Sequence, residues 1–383
     1  MPGPSFTTQE DAVIEAARAF ARDVIVPNAE RWERDRSMPS DVLRSAAAAG
    51  LCRLLVPAEM GGHGIRVTAM ARVMEELAYA DMAAAFALVV HNNFCRSLSA
   101  NGSPGLLERY LAPSCDARTI GSFLLTEPQS GSDAANLKTA GVRDGGDWVI
   151  NGEKAWVTNA DKAGVLAVYL QTDPAEGWRG IACVLVDRDT PGVELTGPYD
   201  LLGGHAMGAG GFRFSDVRVP ATQTMIEPGK GFKAAMGGID IARIVVAAMC
   251  AGMLRSALDC AYPHALERQA FGQAVADFQG IQWLLADVAT DLHAVTLMAY
   301  DAARAIDAGE TVPLPAAHAK KFATRAALNG LTQCMQAMGA DGSRQAFPIA
   351  RHLACAKAAQ YLDGTTEIQN VVISRGMRKH YGG

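Results

Sequence analysis

Near the middle of the chain, Trp148 to Thr158 reads WVINGEKAWVT. An Asn-Gly pair between two apolar segments is the strongest short-range signal for a tight turn, so we predict a β-hairpin here. Further strands are predicted at Val165 to Leu170, Ile181 to Val186 and Phe212 to Val219, where apolar runs are separated by Gly and Pro. Residues 119–232 are therefore expected to form a small β-barrel or β-sandwich domain.

Helical periodicity is found on both sides of this β segment. Asp11 to Ile25 carries apolar residues three or four apart, and Ala69 to Leu98 is apolar on two faces, which predicts buried helices. Pro57 to Gly64 (PAEMGGHG) breaks the pattern and is predicted to be a loop. From Ile281 to Ile306 the helical spacing continues over about seven turns, a length that is typical of a helical bundle.

The order of the segments predicts the fold class. Ala316 to Met338 and Ile349 to Tyr361 add further helices after the long one. We therefore predict an α+β protein with an N-terminal helical domain (1–118), a middle β-barrel or β-sandwich domain (119–232) and a C-terminal four-helix bundle (233–383). The strands do not alternate with helices and there is no Gly-x-Gly-x-x-Gly, so a Rossmann fold is not expected.

Composition argues against several classes of function. The net charge is −5 and no long Lys/Arg run occurs, which does not suit a nucleic-acid-binding protein. Apolar stretches such as Ile244 to Met253 are too short to span a bilayer, and residues 1–10 lack a secretory signal pattern. The 8 cysteines are scattered without a Cys-x-x-Cys pair, and the 8 histidines show no metal-binding spacing. We therefore expect a cytoplasmic protein with no disulfide frame, no metal centre and no membrane insertion.

Two short segments carry the residues from which a function can be inferred. Leu125 to Asp133 (LTEPQSGSD) can offer hydroxyls and backbone N–H groups to a flat heterocycle and to phosphate oxygens, although an ordinary Gly/Ser loop would look similar. Tyr361 to Gln369 (YLDGTTEIQ) places the carboxylate of Asp363 beside a glycine, where the backbone can approach a ligand. The alternative for Asp363 is a turn residue before a helix capped by Thr365 or Thr366.

Together with three further segments, these two motifs resemble the acyl-CoA dehydrogenase family of flavoproteins. The further segments are Trp156 to Thr158 (WVT), Glu267 to Gly272 (ERQAFG) and Gln336 to Gly342 (QAMGADG), in the family's order along nearly the whole chain. The resemblance implies the three-domain fold of that family, FAD as cofactor and an acyl thioester as substrate.

The resemblance also implies cofactor contacts from the middle domain. The loop at Leu125 would lie along the flavin, with contacts from Phe123, Leu125, Thr126, Gly131 and Ser132. Ser132 would also face the pantetheine of the substrate. Trp156 would lie against the isoalloxazine. Thr158 would hydrogen-bond the N5 edge, where hydride arrives, and so tune the electron affinity of the flavin.

Further cofactor contacts are implied in the C-terminal domain. In the family, the residues that match Arg268 and Phe271 reach the FAD of a neighbouring subunit, which implies a homotetramer. Arg suits this contact because a guanidinium can bind two pyrophosphate oxygens at once. The other cofactor residues implied are Gln279, Gln336, Gly339, Ala340, Thr365 and Glu367. Ala270 and Ala340 stand where the family often has Thr and Gly, so one hydroxyl contact is lost and the backbone at residue 340 is more restricted.

The resemblance makes Asp363 the catalytic base. Removing a weakly acidic α-proton requires a carboxylate whose pKa is raised by a dry pocket, together with a donor for the enolate oxygen. We expect the N–H of Asp363 to be that donor, Gly364 to leave room for the thioester, and Asp240 and Arg243 to lie on the substrate side. Ala242 stands where some relatives carry their base, so that alternative base is absent.

Most of the family has Glu where this chain has Asp363. The shorter side chain withdraws the carboxylate oxygens by about one C–C bond, roughly 1.5 Å. A misplacement of that order can cost about a hundredfold in rate unless something compensates. The shorter base motivates the hypothesis that the acyl group is branched or alicyclic.

The leading prediction is an FAD-dependent acyl-CoA dehydrogenase that passes its electrons to an electron-transfer flavoprotein. A thioester of acyl-carrier protein is an alternative substrate. A flavin oxidase of the nitroalkane type also has Asp as its base, but that branch has an Arg seven residues later, where this chain has Asn370. A third alternative is a non-catalytic flavoprotein subunit that only scaffolds a partner.

Overall fold

The computed structural model describes residues 5–382. Helices come first, a β-sheet follows and helices return, which confirms the predicted α+β class. The N-terminal helices are α1 (Thr8–Phe20), α2 (Ala29–Arg34), α3 (Ser40–Ala48), α4 (Val67–Ala80), α5 (Met82–Asn101) and α6 (Pro104–Cys115). The strands of the middle part are β1 (Gly121–Leu124), β2 (Ala140–Asp144), β3 (Asp147–Val157), β4 (Val165–Gln171), β5 (Ile181–Asp187), β6 (Val193–Thr196), β7 (Gly210–Pro220) and β8 (Thr224–Ile226). The C-terminal elements are α7 (Gly231–Glu267), the short strands β9 (Gln269–Ala270) and β10 (Gln273–Ala274), α8 (Gln279–Asp307), α9 (Pro313–Ala337), α10 (Ile349–Ala359) and α11 (Thr366–Tyr381).

The N-terminal helices differ from the sequence prediction at one place. The apolar segment from Ala69 to Leu98 is helical and buried, as predicted, but it is divided into two helices, since α4 ends at Ala80 and α5 begins at Met82. Asp81 separates them: its backbone is extended, and its carboxylate accepts a hydrogen bond from the N–H of Ala84 at 2.9 Å. Asp is one of the best helix N-caps, so it starts a new helix inside an otherwise continuous apolar pattern.

The middle part is an eight-stranded sheet. Its strand order is β6-β7-β3-β2-β4-β5-β8, and β1 pairs with β4 in parallel. The hairpin predicted at Asn151-Gly152 was wrong, since both residues lie inside β3. The turn that joins β2 to β3 is instead at Gly145-Gly146, where Asp144 pairs with Asp147.

Asn151 and Gly152 form a β-bulge rather than a turn. Ile150 pairs with Val217 and Gly152 pairs with Phe214, so β7 has one extra residue at this point. Asp216 takes up the extra length with a left-handed backbone (φ 51°), and Asn151 exchanges two hydrogen bonds with it, at 2.8 and 3.0 Å. Gly152 has φ 143°, and a Cβ there would lie 2.5 Å from the Cα of Thr139. The bulge needs the same residue types that a tight turn needs.

The C-terminal helices form the predicted bundle. The long helices α7, α8 and α9 pack on one another, and α10 and α11 pack on α9. Helix α4 also packs against α7 and α8, so the N-terminal and C-terminal helices share one apolar core. This core fixes the ends of α7, α9 and α10 relative to one another, and the site described below is built from those ends.

Helix α7 is long and apolar enough to meet the criteria for a membrane span. The most apolar 18-residue window has a mean hydropathy of 1.7, but 67% of that window is buried within the protein. Burial of this kind is typical of the core helix of a globular protein.

Candidate active site

The predicted base lies in the turn between α10 and α11. Thr365 caps α11, since its Oγ1 accepts a hydrogen bond from the N–H of Ile368 at 3.3 Å. Asp363 and Gly364 both have left-handed backbones, with φ 50° and 94°. Asp tolerates this region better than most residues and Gly adopts it freely. A Cβ on Gly364 would lie 3.1 Å from Nη2 of Arg243, so the Asp-Gly pair allows the turn to pack closely on that side chain.

The carboxylate of Asp363 has an unusual environment. The residue as a whole is partly exposed, but its Oδ2 is buried and has no hydrogen-bond partner among the described residues. Burial raises the pKa of Asp363 to about 6, while the positive charges of Lys320 and Arg243 oppose the rise. A carboxylate with this pKa and a free lone pair is suited to accept a proton near neutral pH.

Helix α7 supplies two of the predicted substrate-side residues. Arg243 donates from Nη1 to Oδ1 of Asp240 at 2.9 Å, one helical turn away, and from Nε to the backbone oxygen of Asp363 at 3.0 Å. Burial raises the pKa of Asp240, and the charge of Arg243 opposes that shift. The structure therefore brings Asp240, Arg243, Asp363 and Gly364 together. Ala242, between the first two, is buried and carries no titratable group.

Two further residues hold this turn, and the sequence analysis missed both. Lys320 of α9 donates from Nζ to the backbone oxygens of Gly364 at 2.6 Å and Gln360 at 3.1 Å. Gln369 of α11 donates from Nε2 to the same oxygen of Gly364 at 2.9 Å. A signal for Lys320 was available, since it lies between Ala316 and Ala323 on an otherwise apolar face of a predicted helix. A lysine there must have a buried partner.

The loop Leu125 to Asp133 is fixed by a buried ion pair that the sequence analysis also missed. Nζ of Lys154 donates to Oε1 of Glu127 at 2.8 Å and to the backbone oxygen of Leu125 at 3.0 Å. Burial lowers the pKa of Lys154 to about 8, and the charge of Glu127 opposes the shift. Lys154 and the buried Trp148 are an even number of residues apart in β3, so their side chains lie on the same, inner face of the strand.

Glu127 connects the loop to the next strand as well. Its Oε2 accepts the N–H of Lys138 at 2.6 Å, and its Oε1 accepts the N–H of Thr139 at 2.9 Å. Burial alone would raise the pKa of Glu127, but the charge of Lys154 and these hydrogen bonds bring it below its usual value. The loop is therefore a rigid element that leaves β1, and not a mobile Gly/Ser segment.

The end of β3 presents an exposed aromatic ring. Lys154 pairs with Phe212 and Val157 pairs with Gly210, so a second bulge leaves Trp156 as the extra residue, with φ 57°. The residue Trp156 is 65% exposed, and the edge of its ring contacts Tyr199 with 4.8 Å between ring centroids. A large aromatic in a strained backbone conformation on the surface is a candidate for stacking against a ligand.

The other predicted residues of the middle domain lie in β1, in the loop that follows it and directly after β3. Thr126 accepts the N–H of Ala155 at its backbone oxygen, at 2.9 Å, which joins the loop to the end of β3. Thr158 is buried, and its carbonyl accepts the hydroxyl of Ser122 at 2.9 Å. Phe123 packs on Tyr169 with centroids 4.9 Å apart, and Leu125 is buried. Gly131 and Ser132 are exposed at the tip of the loop.

The remaining predicted cofactor residues lie at helix ends of the C-terminal bundle. Phe271 is 98% exposed at the tip of the β9–β10 hairpin, and Arg268, before the hairpin, and Gln279, after it, are exposed as well. Gln336, Gly339 and Ala340 are exposed where α9 ends. The backbone restriction expected for Ala340 has no consequence, because only Gly339 of this pair has a positive φ, at 60°. The contacts of these residues with a cofactor stay predictions.

Glu367 and Thr365 have roles that need no cofactor. Glu367 is exposed in the first turn of α11, where a negative charge interacts favourably with the N-terminus of the helix. Thr365 caps the same helix, as described above. Their predicted contacts with a cofactor also stay predictions.

These features of the middle domain fit a flat, phosphate-bearing heterocycle, and the turn between α10 and α11 adds a reactive carboxylate. Trp156 offers an exposed ring, and Gly131 and Ser132 offer exposed loop backbone and a hydroxyl. No atom lies closer than 4.0 Å to the Cβ position of Gly131, so a ligand can approach the loop there. The buried, unpartnered Oδ2 of Asp363 supplies the reactive group.

Comparisons with known proteins agree with this geometry. Family descriptions for the N-terminal, middle and C-terminal domains of acyl-CoA dehydrogenases match residues 7–118, 122–217 and 229–378. The chain is 32% identical over 381 residues to the mitochondrial short/branched chain specific acyl-CoA dehydrogenase of Rattus norvegicus, covering 99% of this chain and 88% of that protein. It is 34% identical over 373 residues to cyclohex-1-ene-1-carbonyl-CoA dehydrogenase of Syntrophus aciditrophicus, covering 97% and 90%.

The solved structures lead to the same assignment. Butyryl-CoA dehydrogenase of Megasphaera elsdenii is similar with a TM-score of 0.94 and 28% identity, covering 98% of this chain and 100% of that one. All three domains, their order and the extent of the match agree with the fold described above. The chain belongs to the acyl-CoA dehydrogenase family of FAD-dependent flavoproteins.

Proposed function

We propose that this acyl-CoA dehydrogenase uses Asp363 to remove the α-proton of a bound acyl thioester. The observation that carries the proposal is the buried Oδ2 of Asp363, which has no partner in residues 5–382 while the pKa of the group is raised to about 6. Buried polar atoms are almost always hydrogen-bonded, so an exception in a strained turn is a mark of function.

The residues of the middle domain fit the flavin of FAD. Trp156 and the loop that contains Thr126, Gly131 and Ser132 would hold it, together with Thr158 at the end of β3. When bound, FAD supplies the acceptor for the hydride that leaves the β-carbon of the substrate. The ion pair of Lys154 with Glu127 keeps the loop in place without entering the chemistry.

Asp363 and its neighbours carry the proton transfer. In its ionised form the carboxylate accepts the α-proton, and the dry environment makes it basic enough near neutral pH. The backbone N–H of Asp363 donates to no other group within residues 5–382, so it is free to stabilise the developing negative charge on the thioester oxygen. Gly364 lets the side chains of Arg243 and Gln369 pack against the turn, and Arg243 holds the turn from α7.

We propose a branched or alicyclic acyl group as the substrate. The side chain of Asp363 is one methylene shorter than that of the Glu found in most of the family. The α-carbon of the substrate must therefore lie closer to the turn or be presented at a different angle. Two of the relatives named above act on branched and alicyclic acyl-CoA thioesters by name, which supports this proposal. We propose CoA rather than acyl-carrier protein as the carrier of the acyl group, because both of these relatives are named for CoA thioesters.

We also propose the finer features of the assembly. The exposed Phe271 and Arg268 are suited to reach the FAD of a second subunit in a homotetramer. An electron-transfer flavoprotein is the proposed acceptor. A cytoplasmic location is proposed because all eight cysteines are free thiols and seven of them are buried.

Anaerobic titration of the FAD-loaded protein with acyl-CoA thioesters tests the function. We expect the flavin absorbance to bleach with branched or alicyclic substrates, and Asp363→Ala to abolish bleaching while Asp287→Ala, at an exposed carboxylate of α8, leaves it unchanged. Bleaching of Asp363→Ala at the wild-type rate would show that the base is another group. A strong preference for straight-chain substrates would refute the proposed acyl class. Rapid reoxidation of the reduced protein by O₂ would instead indicate an oxidase.

A further inference from the structure

Lys320 is a fully buried cation close to the proposed base. Its relative exposure is 0%, and it lies in α9 among small residues such as Ala316, Ala323 and Thr324. Burying an ammonium group is costly unless its protons are hydrogen-bonded, so a lysine at this position must have a specific use.

The hydrogen bonds of Lys320 go to both ends of the turn that carries Asp363. Nζ donates to the backbone oxygen of Gln360, which caps the C-terminus of α10, at 3.1 Å. It also donates to the backbone oxygen of Gly364, directly before the N-cap of α11, at 2.6 Å. The ammonium therefore joins α10 to α11 across the left-handed pair Asp363-Gly364.

Lys320 acts on the carboxylate of Asp363 without pairing with it. Between these two described residues there is no ion pair, but the charge of Lys320 opposes the rise in the pKa of Asp363. Burial lowers the pKa of Lys320 to about 8, and the charge of Asp363 opposes that shift. Each group thus favours the charged form of the other.

The other titratable groups near Lys320 do not replace this interaction. Arg243 on α7 lowers the pKa of Lys320. Burial raises the pKa of Cys250, also on α7, to about 12, so that thiol stays neutral. Glu367 on α11 is exposed, which leaves Asp363 as the buried anion that Lys320 faces.

We propose that Lys320 is a positioning residue for Asp363: its hydrogen bonds fix the turn, and its charge keeps the carboxylate ionised under working conditions. The inference rests on the proposed role of Asp363 as the base. It adds a second requirement to that role, because the base must be both held in place and kept charged. The two requirements can be separated by substitutions that remove one and keep the other.

Three variants of Lys320 separate the two effects. Lys320→Met removes the donors and the charge, Lys320→Gln keeps donors without charge, and Lys320→Arg keeps the charge. The matched control is Lys321→Met, at the next residue of the same helix, whose side chain is partly exposed. All are loaded with FAD, checked for flavin content and thermal unfolding, and assayed for kcat/KM against pH with the best acyl-CoA substrate.

A second measurement reports on the base alone. A thioester in which sulfur replaces the β-carbon has α-protons but no β-hydrogen to transfer. Exchange of its α-protons with deuterium from solvent, followed by ¹H NMR, therefore measures proton removal without oxidation. The exchange rate is recorded against pH for the same set of variants.

We expect Lys320→Met to lower kcat and the exchange rate by at least about tenfold. A misplacement of 1 Å can cost about a hundredfold, so even a smaller displacement of the base should be measurable. In this variant the acidic limb of both pH profiles, that of kcat/KM and that of the exchange rate, should move to higher pH, since the charge that favours the ionised carboxylate is gone. Lys320→Gln should show the same shift, while Lys320→Arg and Lys321→Met keep the wild-type limb. If Lys320→Met does not fold, the comparison of the Gln and Arg variants decides.

An unshifted acidic limb in the Met and Gln variants would overturn the proposal, whether or not kcat falls, because a purely structural role moves the rate without moving the limb. This failure can be told apart from failure of the proposed function. If the proposed function itself is wrong, the wild-type protein will not exchange the α-proton at all, or Asp363→Ala will exchange it as fast as wild type.

Discussion

Arg243 donates its Nε–H to the backbone oxygen of Asp363 at 3.0 Å and does not pair with the carboxylate of that residue. The carboxylate that Arg243 does bind is Asp240, at 2.9 Å. The positive charge therefore limits the rise in the pKa of Asp363 from a distance and leaves the lone pairs of Oδ2 free. An ion pair at this place would have stabilised the carboxylate and removed it from the chemistry.

Substitution of Arg243 should therefore affect both the position and the ionisation of the base. We expect Arg243→Ala to lower kcat by about tenfold or more, because the turn loses a hydrogen bond and a small displacement of the base is costly. The acidic limb of the kcat profile should move to higher pH, since one of the charges that opposes the raised pKa is lost. Steady-state assays across pH 5–9 measure both effects. An unchanged acidic limb would contradict this account, and Arg218→Ala, at an exposed ion pair, serves as the control.

The buried carboxylate of Asp363 should also cost stability. Its pKa is raised from 3.8 to about 6, so between these values the folded protein binds more protons than the unfolded chain. Stability then falls as the pH rises through this interval, and the cost is complete above pH 6. We expect Asp363→Asn to raise the Tm above pH 6 and to have little effect below pH 4. Thermal unfolding of both proteins as a function of pH checks this, and a gain of the same size at every pH would contradict it.

The sequence predicted those elements whose residues interact mainly with near neighbours along the chain. The periodicity from Ile281 to Ile306 predicted α8, which spans Gln279–Asp307, and three of the strands were found close to their predicted bounds. Asn151-Gly152 misled the prediction because a bulge and a tight turn favour the same residue types. Which of the two forms depends on Asp216 of another strand, and nothing local reports that.

The supports of the candidate site could not be read from the sequence for a similar reason. Lys154 and Glu127 are 27 residues apart, and Lys320 and Gly364 are 44 residues apart. Each lysine was visible as a charge in an apolar pattern, but its partner is fixed only by packing between elements. The assignment of Asp363 as base came from the resemblance of short motifs, and it stays a prediction.

Breaking the ion pair between Lys154 and Glu127 should destabilise the middle domain. Both side chains are almost completely buried, so Lys154→Met would leave a buried carboxylate without its cation, at a cost of about 3–5 kcal/mol. We expect a lower Tm and weaker retention of FAD, because the loop from Leu125 depends on this pair. Unfolding in denaturant and the flavin content of the purified protein measure the two effects.

The double variant Glu127→Gln/Lys154→Met tests the cause. It removes the unpaired charge and should recover part of the lost stability, though not all, since Glu127 also accepts the N–H groups of Lys138 and Thr139. Arg213→Ala, at an exposed pair with Glu153, should cost far less, because exposed ion pairs are screened by solvent. Equal losses for the buried and the exposed pair would show that burial is not what makes the first one important.

Trp156 should contribute to the affinity for FAD through its exposed ring. Aromatic pairs add about 0.5–1.5 kcal/mol beyond the area they bury, so Trp156→Ala should weaken FAD binding by about twofold to tenfold. Trp156→Phe keeps an aromatic face and should retain most of the affinity, although the contact with Tyr199 becomes smaller. Titration of the flavin-free protein with FAD, followed by flavin fluorescence, gives the dissociation constants. If the Ala and Phe variants bind FAD equally well, the ring is exposed for another reason, such as contact with a second subunit.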